Sequence, residues 1–88
     1  MYYVYILLEK QSATNYIGYS SNLRQRIKDH KNGLAAKVTR NGKWELIYYE
    51  AYLEKADATM REYRLKHDGR ARKQLVNRIS HSISAWLK

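Results

Sequence analysis

Residues 1–20, MYYVYILLEKQSATNYIGYS, decide the architecture. Tyr2 to Leu8 is an unbroken run of aromatic, β-branched and aliphatic side chains, too short for a stable helix and rich in strand formers. The polar stretch Glu9 to Asn15, with Ser12, Thr14 and Asn15, gives way to Tyr16-Ile17-Gly18-Tyr19, a second short strand, so the two predict an antiparallel hairpin. Alternate residues of a strand share a face. If Val4, Ile6 and Ile17 turn to the core, Tyr5 and Tyr16 emerge together beside the open backbone of Gly18, where two phenols could line a cleft. With nine tyrosines in the chain, the competing reading is that tyrosine is simply a good strand residue.

Downstream of the hairpin the apolar period changes. Ser20-Ser21-Asn22 offers helix caps ahead of Leu23 and Ile27 at i, i+4, and Gly33 supplies a stop, which predicts a helix of about three turns. Ala35 to Lys43 is basic and irregular. Glu45 to Leu53 reads as a third strand, and Glu54 to His67 as a helix with Ala56, Met60 and Tyr63 on one stripe and Ala58, Glu62 and Leu65 on the next. Gly69 interrupts this helix. Beyond it, Leu75, Val76, Ile79, Ile83, Trp86 and Leu87 recur every three or four residues and predict a last helix. The fold class is therefore α+β, in the order β-β-α-β-α-α. The absence of proline, of linkers and of repeats predicts a single domain over residues 1–88, with 79–88 a C-terminal helical extension.

Composition narrows the function. Lys and Arg number 17 against 8 Asp and Glu, a net charge of +9 that calls for a polyanionic partner. The surplus sits in residues 20–43 and 55–88, whereas 44–54 is acidic. Without cysteine, thiolate metal sites, disulfides and cysteine nucleophiles are excluded. No apolar run reaches the roughly 20 residues of a membrane span, and the N-terminal stretch is too short and tyrosine-rich for a signal peptide, so a cytoplasmic location and no membrane partner are expected.

Few residues can carry chemistry. Arg26 and His30, at i, i+4, flank the Leu23/Ile27 stripe; a guanidinium there could fork onto a phosphate and an imidazole could orient a proton, though such a pair can equally be a solvated helix face. Glu62 lies between Ala58 and Leu65 in a helix whose exposed positions are mostly basic. It could be a salt-bridge partner or the single carboxylate with which Mg²⁺ is held beside a substrate phosphate. His30, His67 and His81 lack metal-ligand spacing, and neither a nucleophile elbow nor a glycine-rich phosphate loop is present.

Taken together, these features resemble the GIY-YIG nuclease superfamily, in particular its small single-domain bacterial proteins. Tyr3-Val4-Tyr5 stands for the first tripeptide and Tyr16-Ile17-Gly18 for the second. Asn22-Leu23-Arg24-Gln25-Arg26 ends on the family's catalytic arginine, with His30 following. Ala58 to Lys66 looks like the segment bearing the metal-binding glutamate, here Glu62. Tyr3 replaces the namesake glycine, Asn41-Gly42-Lys43-Trp44 replaces a proline-containing turn, and Val38 interrupts an otherwise matching Lys37 and Thr39.

The resemblance implies a three-stranded antiparallel sheet flanked by helices and metal-dependent hydrolysis of a phosphodiester. Of Tyr5 and Tyr16, the latter is favoured as the base toward water; Arg26 contacts the phosphate, His30 assists by hydrogen bonding, and Glu62 holds Mg²⁺ (or Mn²⁺). The expected substrate is DNA, with RNA second, chosen by structure rather than sequence, in repair or recombination. Lys37, Arg40, Arg61, Arg70, Arg72 and Lys73 are the expected backbone contacts. Alternatives are a non-catalytic nucleic-acid-binding module, or a nuclease subunit whose C-terminal stripe meets a protein partner or a second copy rather than closing its own core.

Overall fold

A computed structural model describes residues 1–88. Three strands, β1 (Tyr2–Glu9), β2 (Asn15–Ser20) and β3 (Trp44–Tyr52), form an antiparallel sheet in the order β2-β1-β3. The hairpin register pairs Tyr5 with Gly18 and Ile6 with Ile17. Against β3, Val4 pairs with Glu50 and Ile6 with Tyr48, and a bulge follows at Ile6/Leu7. One face carries Val4, Ile6 and Ile17 into a core completed by Ala58, Leu65, Leu75 and Ile79. The other face carries Tyr3, Tyr5 and Leu7.

The helices are α1 (Leu23–Lys31), α2 (Lys55–His67), α3 (Gly69–Arg78) and α4 (Ser80–Leu87). Asn22 caps α1, its Oδ1 accepting from the Gln25 N–H at 3.1 Å. At the other end the Gly33 N–H donates to His30 O and the Leu34 N–H to Asp29 O. This six-to-one closure requires a left-handed residue, and Gly33 has φ 73°. On α2 the second stripe is the internal one: Ala58 and Leu65 are fully buried, while Met60 and Tyr63 face solvent.

Where a single last helix was expected, there are two. Asp68 ends α2 in extended backbone and caps α3, its Oδ1 accepting from the Arg70 and Ala71 N–H groups. Arg72 reaches back to the terminal α2 carbonyls of Leu65 and Lys66. The path then bends at Ile79 (φ −107°, ψ 27°) while the i, i+4 bonds Ile79–Leu75 and Ile83–Ile79 persist. The bend buries Ile79 and brings α4 back to the sheet, where Trp86 Nε1 donates to Leu8 O at 2.8 Å. Much of the C-terminal stripe is thus used internally, with Ile83 packed against the core. No helix is long and apolar enough to cross a membrane.

Two carboxylates tie the strands to what surrounds them. Glu50, on the core face, accepts from the hydroxyls of Tyr48 and Tyr52 and from both Nε and Nη2 of Arg61, locking β3 to α2. Burial, reinforced by the neighbouring carboxylate, pushes each phenol up to about 12. Glu9 accepts from the backbone N–H groups of Gln11, Ser12 and Lys43, joining the hairpin loop to the start of β3.

The bonds from Ser12 and Lys43, against a smaller opposing effect of burial, hold Glu9 down at about 2 from an ordinary 4.5. Because this pKa is lower in the folded chain, its stabilisation is complete above pH 4.5 and disappears as pH falls through about 2. Glu9→Gln is expected to melt below wild type at neutral pH, with the gap closing across that window. Thermal unfolding followed by circular dichroism over a pH series checks this; a gap independent of pH would refute the assignment.

Candidate active site

The outward face of the hairpin builds the site. Across from Tyr5 stands Gly18, and the Tyr5 ring lies over its backbone: a Cβ built there would be 2.3 Å from Tyr5 Cζ and 2.4 Å from its hydroxyl oxygen. Gly18 does not leave an open floor beside exposed phenols. Tyr5 fills that space and is 1% exposed. Tyr16, two residues along the edge strand, remains half-buried, with its ring centroid 6.4 Å from that of Tyr5.

His30 enters from α1 and closes a row of hydrogen bonds. Tyr5 Oη lies 2.7 Å from His30 Nε2, and His30 Nδ1 lies 2.7 Å from Thr39 Oγ1. The Thr39 hydroxyl donates to Ala36 O at 3.3 Å, so it accepts from His30 Nδ1–H. That leaves Nε2 with a lone pair, and Tyr5 donates to it. Burial, helped by the Arg26 charge and opposed by Asp29, lowers the His30 pKa, in keeping with a neutral ring. Thr39, noted in the sequence only as a family match, is the residue that fixes the tautomer; it is 3% exposed in a loop without periodicity.

Two charges, Arg26 and Glu62, act on the same hydroxyl. Burial and the adjacent Tyr16 push the Tyr5 phenol well above its ordinary range; the Arg26 charge opposes this and the Glu62 carboxylate adds to it. Arg26 is half-buried and forms no ion pair, while Glu62 Oε2 is paired at 3.0 Å with Lys66, one turn on. This i, i+4 spacing was readable in the sequence. Helix α2 packs on the core face through Ala58 and Leu65, and the Glu62 charge acts on Tyr5 without a direct contact. Cavities of about 720 and 560 Å³ open elsewhere, one of about 310 Å³ is lined in part by His30 and Thr39, and none of the three is lined by Tyr5, Tyr16, Arg26 or Glu62.

Lys37, Arg40, Arg70 and Lys73 are exposed. Arg61 and Arg72, also among the expected phosphate contacts, are already engaged within the fold. Arg61 is forked onto Glu50, and Arg72 donates to the last carbonyls of α2. A planar guanidinium satisfies a carboxylate or a helix terminus as well as a phosphate, and these partners are supplied by the fold.

Two substitutions test the row. Gly18→Ala is expected to displace the Tyr5 ring, costing about 1–3 kcal/mol in urea unfolding as an overpacked site does. Thr39→Val removes the acceptor for Nδ1–H, and ¹⁵N–¹H correlation of the His30 ring should then show loss of the Nδ1–H tautomer. An unshifted Gly18→Ala midpoint or an unchanged tautomer would contradict the geometry.

Comparison with known proteins places the chain in a family. Residues 1–76 match the GIY-YIG catalytic domain. A UPF0213 protein of Clostridium perfringens is 44% identical over 79 residues, 88% of this chain and 84% of that protein. One from Oceanobacillus iheyensis is 39% identical over 66 residues, 74% of this chain and 76% of that protein. The solution NMR structure of a UPF0213 protein from Bacillus halodurans is similar with TM-score 0.55 at 40% identity, covering 88% of this chain and 84% of that one. With its two tripeptides on paired strands and the family's domain spanning most of its length, the chain belongs to the GIY-YIG family.

Proposed function

We propose that the chain is a metal-dependent endonuclease that hydrolyses phosphodiester bonds in DNA, choosing its substrate by structure rather than sequence, in repair or recombination. One observation carries the reading: in a chain of net charge +9 the paired strands set Tyr5 and Tyr16 side by side, 6.4 Å between ring centroids, with the charges of Arg26 on α1 and Glu62 on α2 both acting on the Tyr5 phenol. Tyr5 is held as a buried proton donor to His30, which leaves the half-exposed Tyr16 to meet the attacking water and take its proton. Only a phenolate can accept that proton, which sets the ionisation state the step requires. Arg26, with no carboxylate partner, contacts the scissile phosphate and stabilises the charge that builds on its oxygens.

The donor chemistry of the site suits a hard cation that keeps most of its water. No three acidic or histidine side chains gather anywhere in the chain, so a metal here would rest on Glu62 and the substrate phosphate, as Mg²⁺ or Mn²⁺ does. Glu62 Oε1 has no protein partner, and Lys66 on Oε2 is an exposed side chain free to swing away. Bound there, the ion would supply Lewis-acid stabilisation of the leaving oxygen. The exposed Lys37, Arg40, Arg70 and Lys73 give salt-sensitive hold on the DNA backbone.

Cleavage of nicked, branched and single-stranded DNA with Mg²⁺ or Mn²⁺ tests the assignment. Glu62→Ala, Arg26→Ala and Tyr16→Phe are each expected to lower the rate by about 100-fold or more. Equal cleavage by Glu62→Ala and wild type would expose a contaminant and overturn the reading. Tight binding by wild type without Glu62-dependent cleavage would make the chain a binding module instead.

A further inference from the structure

Helix α1 has two flanks, and the site uses only one. Leu23 and Ile27 point to the sheet; at 100° per residue, Arg26 and His30 fall to one side of that line and Arg24, Lys28 and Lys31 to the other. Between the second flank and the β1/β3 half of the sheet runs a groove of about 560 Å³. Its floor includes Tyr3, Leu46 and Tyr49, its rim is Arg24, Lys28 and Lys31, and no acidic residue lines it. Tyr49 is 53% exposed, and the Tyr3 ring supports it edge-on at 6.1 Å between centroids.

A large exposed phenol steadied by a second ring, beside three cations, fits a ligand that carries both negative charge and flat apolar faces. A duplex presents the charge but hides its bases in the stack. An acidic peptide presents the charge without the faces, and a second copy of this chain, at +9, would be repelled. An unpaired nucleic-acid strand offers both. We propose that this groove holds an unpaired DNA strand alongside the scissile site, with a base stacked on Tyr49 and phosphates against Arg24, Lys28 and Lys31. Its choice of DNA rests on the nuclease reading above, and it adds to that reading a substrate with a single-stranded segment next to the cut. The two phenols on this floor are distinct from Tyr5 and Tyr16, so binding and bond cleavage are separable by mutation.

Fluorescence anisotropy with wild-type protein in chelator, using labelled oligothymidine of about a dozen nucleotides and a duplex of equal length, reads binding without cleavage. Tyr49→Ala is expected to weaken oligothymidine binding by about 5- to 100-fold while leaving the duplex within about twofold, and Tyr49→Phe should keep wild-type affinity. Replacing Arg24, Lys28 and Lys31 together by Ala should reduce the slope of log affinity against log salt for the single strand by about 2. Unchanged oligothymidine affinity in Tyr49→Ala, an equal loss on the duplex, or tighter binding of a matched RNA or of polyglutamate would overturn the proposal. Because no cleavage is measured, failure of the nuclease reading would appear only in the Glu62 experiment.

Discussion

The constraint on which the site depends is the contact of the Tyr5 ring with the backbone of Gly18. Only a residue without a Cβ admits a phenol at that separation, and the hydroxyl so placed meets His30 of α1 rather than solvent. From there the hydrogen bonds run Tyr5 to His30 to Thr39 to Ala36 O, joining β1, α1 and the following loop through buried polar groups. Removing one member of such a row strands its neighbour, at roughly 1–3 kcal/mol for a buried group left unpaired. The chain leaves no buried side-chain nitrogen or oxygen without a partner. A small domain has little stability to spare for an unpaired polar group, so the full satisfaction of this row is itself a condition of folding.

The core face is organised on the same principle with charge. Glu50 on β3 collects two hydroxyls and a forked guanidinium from Arg61, whose neighbour on α2 is Glu62. Burial raises the Glu50 pKa, and the bonds from Arg61, Tyr48 and Tyr52 more than reverse that effect. The turn of α2 that carries Glu62 is therefore held by an ion pair to the sheet as well as by the packing of Ala58 and Leu65. One acidic side chain on this helix turn fixes position, while the other stays half-exposed with an unpaired oxygen.

Alternation in Tyr2–Leu8 and Tyr16–Tyr19 was enough to place Val4, Ile6 and Ile17 in the core and Tyr5 and Tyr16 on the opposite face, and the three strands follow. Periodicity names a face but not a depth, so it suggested two exposed phenols where one is buried against glycine. Nor does a count of basic residues reveal which are already paired: Arg61 and Arg72 are engaged by groups that reach them only in three dimensions. The helical stripe beyond Gly69 was correct in its period, but the bend at Ile79 preserves that period and leaves no signature in it. Thr39 carried no local signal beyond its match to the family, since its function is set by a histidine nine residues away that faces it only once α1 has formed.

The resting charge distribution explains why the interior of the site can be so well buried. His30 is driven toward its neutral form and Tyr5 toward its protonated one, so the buried row carries no net charge and incurs no ion desolvation. The charged groups Arg26 and Glu62 are only half-buried and keep access to water. A row with a buried phenolate or imidazolium would have to offset its own desolvation before stabilising anything in a substrate. Keeping the interior neutral lets the hydrogen bonds set geometry alone, and reserves electrostatic stabilisation for the surface at which a polyanion arrives.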